Sequence, residues 1–422
     1  MLLKGNCLET LKTLADNSVD SIVTDPPYEL GFMGKSWDAS GIAYNQDLWA
    51  ECLRVLKPGG HLLAFSGSRT YHRMTVAIED AGFEIRDQIM WLYGSGFPKS
   101  LDVSKAIDKA AGAEREVTAT KPQTGAKFKA IADDIDNGGF NDPNRTEFNI
   151  TAPATPEAQR WQGWGTALKP AHEPICVARK PLTGTVASNV LEWGTGALNI
   201  DGSRVGKADG FGGGAKGTSG FATGYESDGF VASTQGRWPA NVIHDGSDEV
   251  LAGFPNSKGG AYPAKRGQAV NTSFASGQET EGGYRAMGDD GSAARFFYCA
   301  KASKSERNAG LDIEHFPLKN YTEANKMGGA GDTMLTGSGN PRDSRKQNFH
   351  PTVKPIALMR YLVKLVTPPN GTVLDPFLGS GSTAVACVLE GFDWVGCEMT
   401  EDYWPIIEAR VEWAHSQPKT LI

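Results

Sequence analysis

The sequence predicts an α/β protein on a doubly wound, mostly parallel sheet, and three observations lead there. Over the first ~95 residues, short apolar runs alternate with amphipathic stretches of helical period, as strands paired in parallel with helices on both faces require. Near the other end, "GTVLDPFLGSGSTAVACVLEGFDWVGCEMTEDYWPIIEARVEWAH" reads as strand, glycine turn, helix, strand, helix, a βαβ unit of ordinary length. Finally, the strand over Ser21 to Thr24 runs straight into Asp25-Pro26-Pro27-Tyr28. No regular element absorbs two prolines in a row, so the strand delivers these groups to a site and stops.

Taken in order, Leu8 to Ala15 reads as a short helix and Ser21 to Thr24 as a buried strand. Gln46 to Leu56 reads as an amphipathic helix with Lys57-Pro58-Gly59-Gly60 as its stop signal. His61 to Phe65 is a second buried strand, Arg69 to Ala81 a helix ended by Gly82, and Glu84 to Tyr93 a third strand. Beyond Gly94 the regularity fades to one expected helix, Val103 to Ala111, and one core strand, Glu173 to Arg179. From Pro181 to Gln347 the chain is rich in Gly, Ser, Asn and Asp, yet aromatic islands recur at Gly236-Arg237-Trp238-Pro239 and Arg295 to Lys301. Those islands favour an ordered, loop-rich region over a bare linker. A helix over Pro355 to Val366 then leads into the closing βαβ unit. The expected division is 1–180 and 348–422 as two halves of one α/β unit, with 181–347 inserted between them.

Composition narrows the class. No run of about 18 apolar residues is present, so no membrane span is expected. The start, MLLKGNCLETLKTL, is too polar for a signal peptide, and a cytoplasmic protein is expected. The six cysteines and seven histidines are scattered without a C-x-x-C pair, which points to reduced thiols and no metal. A net charge of −7 argues against a protein held to nucleic acid by overall charge, but a local basic groove suffices for phosphate contacts.

Two stretches carry chemistry. In the first, Val373-Leu374-Asp375 end a strand, Phe377-Leu378-Gly379-Ser380-Gly381-Ser382 make a turn, and a helix follows from Thr383. Glycines there let the backbone pass close beneath a ligand, with helix-start N–H groups facing it. The next strand ends at Cys397-Glu398, where a carboxylate can accept both hydroxyls of a ribose. No phosphate-binding G-x-x-x-x-G-K-[ST] run occurs, and Ala384 stands where a dinucleotide fingerprint needs a third glycine. The turn therefore suits a nucleoside without pyrophosphate; a plain tight turn is the structural alternative. In the second stretch, Asp25 offers a carboxylate, Pro26 a rigidly held carbonyl and Tyr28 an aromatic face. Those groups suit an exocyclic amine on a flat ring. Two acceptors draw the nitrogen out of conjugation and aim its lone pair, and Asp25 can take the released proton.

D-P-P-Y together with D-P-F-L-G-S-G-S-T resembles the DNA amino-methyltransferases that use S-adenosylmethionine on adenine N6 or cytosine N4. The tetrapeptide comes first and the cofactor loop last, the order of the family's beta group, and "HPTVKP", His350 to Pro355, resembles that group's methionine-side motif. The resemblance implies a Rossmann-like methyltransferase fold. It implies a flipped base held by Asp25, Pro26, Pro27 and Tyr28, and a cofactor cradled by Phe377, Gly379 and Gly381 beside Asp375. Glu398 would take the ribose, and Thr352 and Lys354 the methionine end. Asn6 stands where many relatives carry Asp, which alters contacts at the adenine edge. The aspartate form of the tetrapeptide is more usual for adenine, so N6 is expected, with cytosine N4 as the nearest alternative and a silent DNA-binding protein of the same fold as another. Double-stranded DNA is the expected partner, a homodimer follows by analogy, and no endonuclease constellation is evident. Gripping that DNA falls to basic residues among aromatics and glycines: Arg295, Lys301, Lys304, Arg307, Arg342 and Arg345, with Lys99 and Lys35 near the cleft.

Overall fold

In the computed structural model the described residues are 1–31, 36–96, 100–122, 147–206, 236–257, 261–263, 284–286, 291–300, 305–312, 314–316 and 347–418. Among them, nine strands share one sheet: β1 (Leu2–Lys4), β2 (Val19–Thr24), β3 (Leu56–Phe65), β4 (Glu84–Leu92), β5 (His172–Arg179), β6 (Val242–His244), β7 (Tyr298–Cys299), β8 (Thr372–Asp375) and β9 (Asp393–Glu398). Their spatial order is β1-β9-β8-β2-β3-β5-β4-β6-β7. Every neighbouring pair is parallel except those of β5, which runs antiparallel to both β3 and β4. The mostly parallel sheet is thus present, and the run expected over Glu173 to Arg179 is its one reversed strand.

The central strands carry no polar alternation because both faces are covered. Ile22, Leu62, Ala64 and Leu374 pack on one side with Leu48, Trp49 and Cys52 of the helix Gln46–Val55 and Met74 and Ile78 of the helix Tyr71–Asp80. Their chain neighbours Val23, Leu63, Phe65 and Val373 point the other way, into a cluster with Leu358, Met359 and Leu362 of the helix Ile356–Val366. Alternate residues along each strand therefore feed two cores, as the pleat dictates. Among the described residues no helix is long and apolar enough to cross a membrane.

One element departs from its reading. Lys57-Pro58-Gly59-Gly60 does not close the helix into a loop; β3 already begins at Leu56. Leu56 pairs with Val19 and His61 with Ser21, so the four residues bulge out of the ladder. Lys57 Nζ reaches Asp20 Oδ1 at 2.6 Å, and Asp20 Oδ2 accepts the Thr372 amide of β8 at 2.8 Å. The bulge is roofed by the helix Val186–Trp193, whose Asn189 carboxamide donates to Pro58 O at 2.9 Å. The loop-rich stretch is likewise joined to the main unit, since β6 and β7 extend the same sheet.

Gly59 sits at φ +76°, and a Cβ there would lie 2.4 Å from the Asn189 amide nitrogen. Gly59→Ala is expected to lower the unfolding free energy by about 2–4 kcal/mol, read from urea denaturation, because left-handed strain and overlap add.

Candidate active site

β2 and β8 are direct neighbours, with Val373 opposite Ser21 and Leu374 opposite Ile22. Being parallel, they release their loops at the same end of the sheet, where open α/β sheets place ligands. A buried carboxylate locks the two exits together. Asp375 Oδ1 accepts from Thr24 Oγ1 at 2.6 Å and from the Phe377 amide at 3.0 Å, and Oδ2 accepts from Thr383 Oγ1 at 2.6 Å. Burial raises its pKa to about 6, against the pull of those three donors. Asp375 thus acts as a bracket inside the wall, behind the surface that a ligand would meet.

The glycine bend is shaped for close approach. Gly379 and Gly381 lie at φ +56° and +82°, conformations that β-carbon-bearing residues avoid, and Gly381 caps the helix Ser382–Glu390. The fully buried Arg410 donates to Ser380 O at 2.5 Å and Ser380 Oγ at 3.0 Å, holding the bend from behind. Glu398, at the end of β9, accepts the Gly379 amide on Oε2 at 2.9 Å and the Thr400 amide on Oε1 at 2.6 Å. A carboxylate oxygen has room for two donors, so each keeps the capacity to accept one hydroxyl. Asn6 follows β1 beside it, Lys4 pairing with Glu398, but its carboxamide caps the helix Cys7–Thr10 by accepting the Leu8 amide at 2.9 Å. Thr352 is exposed, and its amide donates to His350 Nδ1 at 3.3 Å.

The other wall is built by Asp25-Pro26-Pro27-Tyr28. Pro26 is buried and the other three are half-buried. Asp25 Oδ2 accepts from Lys354 Nζ at 2.6 Å, while Oδ1 is shielded from water and has no hydrogen-bond partner among the described residues. Lys354, expected at the methionine end of the cofactor, therefore ends on the tetrapeptide. Its ammonium lies over the Tyr28 and Phe65 rings at 5.3 and 5.0 Å and 3.5 Å from Glu173 Oε2. Tyr28 donates its hydroxyl to that same oxygen at 2.8 Å. Burial would lower the Lys354 pKa, but the two carboxylates outweigh it and keep the ammonium charged. Burial raises Asp25, with Lys354 opposing and Glu173 adding to the rise. Burial and the same two acids push Tyr28 well above its ordinary value, so it stays a donor.

Of the basic residues expected to hold a polyanion, Lys35, Lys99, Lys301, Lys304, Arg342 and Arg345 lie outside the described residues. Arg307 points inward: its guanidinium donates to Asn348 O at 3.1 Å and to His350 O. Arg295 donates to Gly291 O and Ser292 O at 2.6 and 2.7 Å and lies 4.3 Å from the Phe296 ring centroid. Glu173 had no role in the sequence reading. Its one signal was an acid opening an otherwise apolar strand.

Comparison with known proteins decides the family. The family described as DNA methylase, of N6/N4 type, matches residues 19–192 and 232–409, most of the chain and both walls of the cleft. The chain belongs to the N6/N4 DNA methylases. Among curated members, the Type II methyltransferase M.HpaI of Haemophilus parainfluenzae is 33% identical over 113 residues, 25% of this chain and 36% of that one. The putative methylase YubD of Escherichia coli (strain K12) is 48% identical over 54 residues, 13% of this chain and 24% of that one. The matched stretches thus span about a third or less of those relatives. Among solved structures, the PvuII DNA methyltransferase (cytosine-N4-specific) aligns over all of this chain and 87% of its own, at 12% identity and a TM-score of 0.41.

Asp375→Ala strips an acceptor from three donors at once. It is expected to cost about 3 kcal/mol of stability, seen as a lowered thermal midpoint, at about 1 kcal/mol for each stranded donor.

Proposed function

We propose that this methylase transfers a methyl group from S-adenosylmethionine to adenine N6 of a base flipped out of duplex DNA. The observation that carries the proposal is the pairing of β2 with β8, which sets an acid–proline–proline–tyrosine loop beside a glycine bend at one end of one sheet.

The residues present fit the cofactor. Gly379 and Gly381 leave the bend without side chains, and the spare acceptor capacity of Glu398 suits a ribose diol. Phe377, Asn6 and Thr352 border the same pocket in this reading. When bound, the cofactor supplies a methyl group on a cationic sulfur that leaves as a neutral thioether. The chain does the rest by position and charge. Asp25 Oδ1, shielded and unpartnered, accepts one amine hydrogen, and the Pro26 carbonyl, which proline geometry keeps fixed, accepts the other. Drawn toward two acceptors, the nitrogen gains a localised lone pair and points it at the electrophile. Asp25 then takes the proton that the methylated amine must lose. Tyr28 lies beside these acceptors for stacking on the ring. Extruding the base costs a few kcal/mol, which DNA contacts from the region between Pro181 and Gln347 offset. Its cations need to lie outside the cleft, because the cleft itself is acidic.

The aspartate of the tetrapeptide supports adenine over cytosine. Methyl transfer to unmethylated duplex DNA, followed by hydrolysis and identification of the modified nucleoside, tests this directly. N6-methyladenine is expected; N4-methylcytosine would overturn the base assignment, and the absence of any methylated base would overturn the activity.

Asp25→Ala is expected to reduce turnover by at least about 10³-fold while leaving cofactor affinity within about threefold, by single-turnover kinetics and calorimetry. Asp25 must be ionised to accept, and burial raises its pKa. The rate is therefore expected to fall as pH drops, with the midpoint of its acidic limb above the ordinary carboxylate value of 3.8.

A further inference from the structure

Four groups from three distant parts of the chain close a ring beside the proposed reacting centre. Lys354 Nζ lies 2.6 Å from Asp25 Oδ2 and 3.5 Å from Glu173 Oε2, and Tyr28 binds that same Glu173 oxygen at 2.8 Å. Lys354 is 8% exposed, and the Asp25 and Glu173 side chains 18% and 19%, so water screens them weakly. Two carboxylates share one ammonium. If Lys354 belonged to Asp25 alone, the acid would be held as a tight ion pair and would be a poor proton acceptor. With no ammonium, a buried carboxylate would protonate and lose an acceptor. Glu173 sits where it prevents the first extreme while helping to retain the charge that prevents the second. It is also the residue that Tyr28 binds, so the ring and the acid of the tetrapeptide are set from one point. β5 makes this possible. As the reversed strand between β3 and β4, it places Glu173 opposite Trp91 at the sheet end where β2 releases its loop.

We infer that Glu173 is a positioning residue for the methyl transfer: it draws Lys354 partly off Asp25 and anchors Tyr28, leaving the Asp25 carboxylate poised to accept the amine. The inference rests on the proposed activity for its purpose, but the electrostatic arrangement can be tested without substrate or cofactor. The groups facing Asp25 are Lys354, Glu173, Tyr28 and, through the wall, Asp375; Lys354 also faces His350, and Glu173 faces Tyr93.

The experiment is a ¹³C NMR titration of aspartate side-chain carboxyls in the full chain, with Asp25→Asn assigning the Asp25 signal. Glu173→Gln keeps an acceptor for Tyr28 but removes the competing charge. The Asp25 midpoint is then expected to move to lower pH by more than about half a unit, while Glu173→Asp stays close to wild type. Lys354→Gln is an independent arm and is expected to move the midpoint up. In turnover on unmethylated duplex DNA, Glu173→Gln is expected to lower kcat about tenfold or more with KM for DNA little changed, its acidic limb shifting down in parallel. An unmoved Asp25 midpoint in folded Glu173→Gln and in Lys354→Gln overturns the inference. A wild-type chain that methylates no DNA, yet shows these shifts, overturns the proposed activity and leaves the shared ammonium standing.

Discussion

The adjacency of β2 and β8 is the constraint on which everything else depends. Thr24 and Asp375 are 351 positions apart, yet their side chains meet at 2.6 Å. Closing so long a connection costs little more than closing a short one, because loop entropy grows only with the logarithm of length. The ladder between the two strands can therefore be small if burial supports it. Val23 and Val373 face one core, Ile22 and Leu374 the other, and all four are fully buried. Asp20 adds a polar tie at the far end by accepting the Thr372 amide, and Asp375 ties the near end. A strand pair clamped at both ends fixes the register, and the register fixes which residues of the two loops face each other.

Much of this arrangement was legible in the sequence because it lies in local signals. Short apolar runs marked β2, β3, β4, β5, β8 and β9, and paired glycines marked the bend. What was hidden depends on tertiary neighbours. The Lys57 to Gly60 segment carries every mark of a helix stop, and only the pairing of Val19 with Leu56 and of Ser21 with His61 reveals a bulge inside a strand. Asp375 reads as a ligand-side acid because it precedes the glycines. Thr24, from a strand that sequence separation hides, turns it into a bracket. Glu173 was invisible for the same reason: the reversal of β5 and its place beside β3 decide where its carboxylate goes. Lys354 shows the limit of motif reasoning. The motif gave its neighbourhood, and only the fold shows that its side chain ends on Asp25.

The charges in the cleft also say what it can hold. Asp25 and Glu173 share one lysine, Glu398 ends a strand at the same end of the sheet, and Asp375 lies buried behind the wall. Such a pocket favours a cationic ligand and an uncharged base, and it repels phosphate. On the proposed reading, an acidic chain of net charge −7 would suit a polyanionic partner if the phosphate backbone stayed at a distance and only a neutral base entered. It also accounts for a buried ammonium at the centre, since without Lys354 the two nearest carboxylates would repel one another in a poorly hydrated site.

One short segment joins the parts of this machinery. Residues His350 to Pro355 carry Lys354 to the Asp25-Pro26-Pro27-Tyr28 loop. Within the same segment His350 packs so closely on the glycine bend that a Cβ at Gly379 would meet its Nε2 at 2.8 Å, and its ring lies edge-on to Tyr403 at 4.8 Å. Burial, reinforced by Arg307, Lys354 and Arg410, lowers the His350 pKa to about 3, so the ring is neutral and packs as an uncharged wedge. Arg307, from the loop-rich region, donates to the main chain at that wedge and just before it, at His350 and Asn348. A displacement of Arg307 therefore acts on His350, and through His350 on both the bend and the lysine. The loop-rich region thus reaches the segment that carries Lys354 through one arginine, bonded to the carbonyls of Asn348 and His350.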